Sequence, residues 1–233
     1  MSGLETHRGN GRPLHRDEFR EPESYVGKRE RLKAEHRQAI LDAAVHVLGS
    51  GICDSVAVDR IAAYAGLAKG TVYNYFEDKA ALVEAVTQSV ETNAIERIEK
   101  VTRGLRTAQS RLAAALATLL ETAVLHPGHA LILERWLRSD RGQDSRLAGV
   151  LGEELKRGKF ARLNETAALS AALILLLSVI CAAMRAFVVK RGRADEAEAL
   201  ISHCLVVLGV ENEQSASEAN AAVLRLQSAR GFS

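Results

Sequence analysis

Between Val58 and Leu82 this chain of 233 residues is constrained to a short helix, a sharp turn, a second short helix and the start of a third. Val58, Ile61, Ala62 and Ala65 recur at i, i+3, i+4 and i+7, which is one face of a helix. Gly66 supplies the backbone freedom that ends it and turns the chain. A second helix fits Ala68 to Phe76, with Val72 and Phe76 one turn apart and aimed inward. Gly70, Thr71, Tyr73 and Asn74 fall on its opposite side. That outward face holds hydroxyls, an amide and a glycine where an ordinary solvated helix carries Glu and Lys. Such groups suit phosphate oxygens and base edges, and Gly70 lets the backbone come close to DNA.

The segment resembles the bacterial tetracycline-repressor (TetR) family of one-component transcription regulators. The resemblance is carried by the Ile61-Ala62 pair, the Gly66-Leu67 turn, the run from Lys69 to Phe76, and Lys79 with Leu82 opening the next helix. It reaches back to a first helix over Arg37 to Ser50, where Ile40, Ala43, Ala44, Val47 and Leu48 form an apolar stripe. By motif it covers residues 35 to 90. It implies an all-α chain with a basic, disordered arm over 1–34 and a helix-turn-helix domain over 35–81. A helical effector-binding and dimerisation domain follows over 82–210, then a polar tail over 211–233. The implied function is a ligand-responsive repressor that binds double-stranded DNA at a palindromic operator as a homodimer, its recognition helix in the major groove. Lys69, Gly70, Thr71 and Asn74 would lie near base edges or the adjacent backbone, with Tyr73, Tyr75 and Lys79 as phosphate clamps. The family usually places Ser or Thr at the N-caps of the two motif helices, where this chain has Ala57 and Ala68. Losing such a cap costs about 1 kcal/mol per helix. Asp54 and Ser55 stand just upstream, where a shifted start would let them cap the first of the two.

Composition agrees with helices. The apolar fraction is 47%, aromatics are 4%, prolines number three, and no run alternates with period two. Charge gives the DNA reading less support, because residues 1–79 hold twelve Lys and Arg against twelve Asp and Glu. Local placement must therefore do the electrostatic work. Arg8, Arg12, Arg16 and Arg20, then Lys28, Arg29, Arg31, Lys33 and Arg37, precede the motif. A basic arm of this kind can enter a minor groove. Interrupted by Asp17, Glu18, Glu21 and Glu23, it reads better as a solvated tail. Cys53, Cys181 and Cys204 show neither disulfide nor zinc spacing and read as structural thiols. The polar, basic N-terminus is no signal peptide, so a cytoplasmic, nucleoid-associated protein is expected.

Downstream, helices are expected over 80–103, 107–125, 129–138 and 144–156, broken at Gly104, Pro127-Gly128, Gly142 and Gly158. Thr166 to Met184 is free of charge for nineteen residues, the length at which a membrane span becomes thinkable. Its alanines, Ser170, Ser178 and the following Arg185 favour a helix buried in a helical assembly. In the family it resembles, this place belongs to a dimer interface. Leu173, Leu176, Leu177 and Ile180, with Leu200, Cys204 and Leu208 of the next helix, are accordingly expected there. Trp136, His126, His129, Met184 and Phe187 are the candidates for an effector pocket, whose ligand would be an apolar or amphipathic small molecule. Pro127 and Gly128 break the helical phase between the two histidines, which argues against a metal site, and no cofactor is expected. No GxSxG elbow, HExxH, phosphate loop or dinucleotide fingerprint is present, so no catalysis is expected. The carboxylates, as in Glu91 to Arg97 and Glu153 to Arg157, read as solvated surface pairs. Two other readings stay open: a DNA binder of this fold that answers to a protein partner or to oxidation of Cys181 or Cys204, and a membrane-attached or structural helical protein.

Overall fold

The computed structural model describes residues 23–50, 57–158, 160 and 166–230, and every regular element among them is helical. In chain order these are α1 (Glu23–Gly49), α2 (Ala57–Tyr64), α3 (Lys69–Tyr73), α4 (Lys79–Thr102) and α5 (Ala108–Leu125). They are followed by α6 (Pro127–Leu137), a 3-10 turn (Gly142–Asp144), α7 (Arg146–Arg157), α8 (Thr166–Lys190), α9 (Ala194–Val207) and α10 (Asn212–Arg230). Packing divides the chain into residues 1–38 and 39–233.

In the first unit the expected arm gives way to helix from Glu23 onward. Residues 28–37 contain no Gly or Pro, and Arg31 donates to Glu35 one turn on at 3.0 Å, the i,i+4 pairing that supports an exposed helix. The arginines at 8, 12, 16 and 20 lie outside the described residues, as do Cys53, Asp54 and Ser55.

The second unit is organised around α5. Every residue from Leu112 to Ala123 is buried, because α4, α6, α7, α8, α9 and α10 all pack against this helix. The charge-free α8 is covered less completely, leaving Ile174, Leu175 and Val189 exposed. It is the one described helix long and apolar enough to cross a membrane by length and composition, a test that core helices of soluble proteins also pass. The segment expected as a polar tail is α10, a 19-residue helix that buries Ser215, Ala219, Ala222 and Leu226. Its Arg225 donates to the carbonyls of Val101 and Arg103 at 2.7 and 2.8 Å, tying down the C-terminal end of α4. Hence α8 and α9 are not the last long helices of the chain.

Several carboxylates expected on solvated faces are buried. Glu121 receives Arg97 at 2.7 Å, Glu154 receives Arg111 at 2.8 Å, and Glu134 receives Arg138 at 2.9 Å. Glu91, on α4, accepts the backbone N–H of Leu147 at 3.0 Å in the first turn of α7, where Ser145 already caps Ala148. A carboxylate there satisfies an otherwise orphaned donor and meets the positive end of the helix. Glu91→Ala should therefore lower stability by about 2 kcal/mol, the worth of a buried hydrogen bond to a charged group. Denaturant unfolding compared with Glu91→Gln, which keeps an acceptor, measures it; equal losses would remove the charge from the explanation.

Candidate functional site

The reading head is built from local contacts. Helix α2 buries Ala57, Val58, Ile61 and Ala62. It closes with Gly66 at φ +68°, Gly66 N–H donating to Ala63 and Leu67 N–H to Ala62. This is a Schellman ending, and glycine is needed for its left-handed residue. Ala68 is the N-cap of α3 and offers no side-chain cap. Helix α3 is shorter than the expected 68–76: it ends at Tyr73, Asn74 caps it, and Phe76 N–H donates to Val72 in the turn beyond. Val72 and Phe76 are buried, whereas Gly70, Tyr73 and Asn74 are exposed and Thr71 and Tyr75 half-buried. Space around Gly70 is open, with nothing within 4 Å of where a Cβ would stand. Lys69 is exposed but lies 2.9 Å from Asp59 on α2, and this hydrogen-bonded pairing raises its pKa. Asp78 then caps α4, accepting Ala81 N–H at 2.7 Å, so that Lys79 is the first residue of that long helix.

Two seams join this head to the helices behind it. At the first, α1 meets α6 backbone to backbone: a Cβ on Gly49 would stand 2.4 Å from the Cα of Gly128. His126 and His129 stand on the α6 side of this seam with ring centroids 5.6 Å apart, edge to face. The helical phase does break at His126, which has φ −133° and ψ 63° between α5 and α6, yet the rings meet because the histidines take the N-cap and third positions of α6 with Pro127 in its first turn. Among the described residues no group of three or more His, Cys, Asp or Glu is placed to hold a metal. Burial, then Arg97, lowers the pKa of His126 against Glu121; burial, then His126, lowers that of His129 against Asp42. Lowered values mean that the stability these rings contribute is present above the ordinary histidine value and lost as pH falls through the folded ones. His129→Gln should consequently flatten the loss of thermal stability between pH 7 and 5, a range set by the usual histidine pKa of about 6.5. An unchanged pH profile would show that these rings do not report on the seam.

At the second seam, an open groove of about 1010 Å³ separates the first half of α4 from the corner between α6 and α7. A cavity of about 470 Å³ adjoins it and shares Lys79, Val83, Thr87, Trp136 and Arg141. The five candidate effector residues do not come together. Trp136 lines the groove, the histidines stand at the α1–α6 seam, and Met184 is fully buried in the core. Phe187 borders a separate cavity of about 120 Å³ among α5, α8, α9 and α10. Helical periodicity marked these residues only as inward-facing and could not say into which space.

Residues 40–86 match the family model described as "Bacterial regulatory proteins, tetR family". Residues 40–86 form a TetR-family N-terminal domain. The match takes in the last ten residues of α1, all of α2 and α3, and the start of α4. Among curated relatives, the nucleoid occlusion factor SlmA of Haemophilus influenzae (strain PittGG) is 29% identical over 109 residues, 43% of this chain and 50% of that protein. The fatty acid metabolism regulator protein of Bacillus subtilis is 26% identical over 132 residues, 52% of this chain and 68% of that one. The chain thus spans about half the length of the first of these relatives. The crystal structure of RolR with the ligand resorcinol covers 82% of this chain and 95% of that one, with TM-score 0.60 and 18% identity, a likeness of fold.

Beyond the TetR-family segment, the expected dimer residues are partly internal. Leu176, Leu177, Ile180 and Leu208 are buried within the protomer, and Leu173, Leu200 and Cys204 are half-buried. Large apolar side chains left open on the same two helices are Ile174, Leu175, Val189 and Val207, none of which was expected at a dimer interface. Leu175 and Val207 border a cavity of about 160 Å³ that His203 also lines. Neighbouring positions on one apolar helix divide between two faces, and only the packing of α5 and α6 against α8 decides which is which.

Proposed function

We propose that the protein is a ligand-responsive transcriptional repressor, acting in the cytoplasm on nucleoid DNA, that binds a palindromic operator as a homodimer. The observation that carries this reading is the division of α3, with Val72 and Phe76 buried and Gly70, Tyr73 and Asn74 presented outward on a head of the TetR family. Each protomer places α3 in the major groove of one half-site. Gly70, Thr71 and Asn74 approach base edges, Tyr73 and Tyr75 hold phosphates, and Lys69 exchanges Asp59 for the DNA backbone. Lys79 serves both ends, standing at the start of α4 and in the wall of the groove behind it. A second copy covers the exposed apolar surface of Leu175 and Val207, which border one cavity between α8 and α9. An effector that spreads the groove moves the first turns of α4, changes the separation of the two heads and lowers operator affinity.

Control by cysteine oxidation is less well supported. Burial pushes the thiols of Cys181 and Cys204 up to about 11, which leaves little of the reactive thiolate at neutral pH.

Operator footprinting followed by gel-shift titration tests the docking. Tyr73→Ala should weaken binding to all sequences by about 1–3 kcal/mol and flatten the salt dependence, whereas changes at Thr71 or Asn74 should alter the preferred sequence. If Tyr73→Ala and Lys79→Ala both left operator affinity unchanged, this docking would be wrong.

A further inference from the structure

We propose that the groove between α4 and the α6–α7 corner is the effector site, and that it takes a flat, uncharged, multi-ring aromatic compound carrying a carbonyl or hydroxyl oxygen. The proposal rests on the ligand-responsive reading above and names the site and the ligand chemistry for it.

Trp136 is the first reason. The guanidinium of Arg141 lies 5.6 Å from its ring centroid, so an aromatic and a planar cation together line the wall. Such surfaces receive flat molecules by stacking. The second is an unmet hydrogen bond. Among the described residues two buried side-chain polar atoms have no partner, the indole Nε1 of Trp136 and Oε2 of Glu154. Only Trp136 lines the groove, and because its Nε1 has no accessible surface the indole must turn to present that N–H to a ligand oxygen, which it can serve and another donor cannot.

Charge supplies the third. The larger cavity is lined by Lys79, Arg141 and Arg146 with Glu84, Glu91 and Asp144, and the smaller one, which shares Lys79 and Arg141, adds Arg135 and Asp140, so that the two together are balanced. Arg141 stands 3.8 Å from Glu84, Arg146 donates to the Thr92 hydroxyl at 3.1 Å, and Glu91 holds the Leu147 N–H. A balanced, internally engaged rim gives no net field to attract an anion or a cation. Apolar surface is contributed by Leu48, Val83, Ile132 and the indole, and Val83 is 37% exposed. The smaller cavity alone has room for a ligand of two or three rings. An occupant there touches Leu48 in the last turn of α1 and Lys79, Val83 and Thr87 in the first turns of α4, the two helices on which the reading head is mounted.

Trp136 is the only tryptophan of the chain, so its fluorescence reports this site directly, without DNA. Titrating the full-length protein with flavone should quench it saturably. Calorimetry should find 2-naphthoate, a charged aromatic, and decanoate, a charged aliphatic chain, roughly tenfold weaker or more. Trp136→Phe keeps a ring but removes the N–H, and should weaken flavone by a similar factor. Val83→Trp fills the groove from an exposed position and should abolish flavone binding in calorimetry while the helical circular dichroism stays intact. Tighter binding of decanoate or naphthoate than of flavone, absence of quenching, or undiminished flavone binding by Val83→Trp would each overturn the proposal. A gel shift of the ligand-free protein is run separately. Its failure would count against the repressor reading and leave the fluorescence result to stand or fall alone.

Discussion

Gly70→Glu is expected to lower operator affinity by about 3 kcal/mol, roughly a hundredfold, while the free protein melts no lower than the wild type. The two halves of this expectation have separate causes. In the free protein the new side chain meets nothing, since no atom lies within 4 Å of a Cβ at Gly70. A helix also favours Glu over Gly by up to about 1 kcal/mol, equivalent to a rise of about 2 °C for a chain of this size. In the proposed docking the same position is where the backbone of α3 comes closest to the duplex. A carboxylate there takes up the room that glycine left and faces phosphates of its own sign. Gel shifts at fixed salt together with a thermal melt measure both halves. A variant that melted normally and bound normally would show that α3 does not face the DNA through Gly70.

Gly49→Ala is expected to cost about 3 kcal/mol of stability, equivalent to about 8 °C, although it adds one methyl group to a helix. The added Cβ would stand 2.4 Å from the Cα of Gly128 and 3.0 Å from its carbonyl oxygen. Both are backbone atoms, so no rotamer change relieves the clash and α1 must part from α6. The reciprocal Gly128→Ala meets the Val45 carbonyl oxygen at 3.1 Å and the Val45 Cγ1 at 3.4 Å, contacts that a few tenths of an ångström relax. Its cost should stay below about 1 kcal/mol, offset in part by the better helix propensity of alanine. Thermal melts of the two variants make the comparison. If Gly49→Ala melted like the wild type, the backbone contact between α1 and α6 would not form in solution. If it melted early and the folded fraction also bound operator poorly at low temperature, the seam would be shown to set the pose of the head.

The reading head was legible because its determinants are close in sequence. Gly66, Ala62 and Leu67 lie within six positions of one another, and the Schellman ending follows from their types alone. The same locality explains the error at α3: Val72 and Phe76 do both point inward, but Phe76 gets there from a turn after Asn74 has capped the helix. The buried carboxylates were not legible. Glu91 meets Leu147 across 56 positions, Glu154 meets Arg111 across 43, and Glu121 meets Arg97 across 24, whereas each looks from its own neighbourhood like an exposed helix face. Helices α5 and α8 reversed expectation for a related reason. The charge-free run of α8 suggested burial all round, yet α5, which contains Arg111 and Glu121, is the central helix because its charges find buried or half-buried partners in α4 and α7.

Local chemistry in the amino-acid order thus specified the helix-turn-helix, its Gly66 turn, its uncapped Ala68 start and the outward set on α3. Those features depend on contacts within a turn or two, where residue type and spacing are sufficient. The groove beside Trp136, the backbone seam at Gly49 and Gly128, the pairing of His126 with His129 and the open apolar surface of α8 and α9 were decided by tertiary packing. Each depends on which face of one helix meets another many positions away, and an amphipathic pattern records that a face is covered without recording by what.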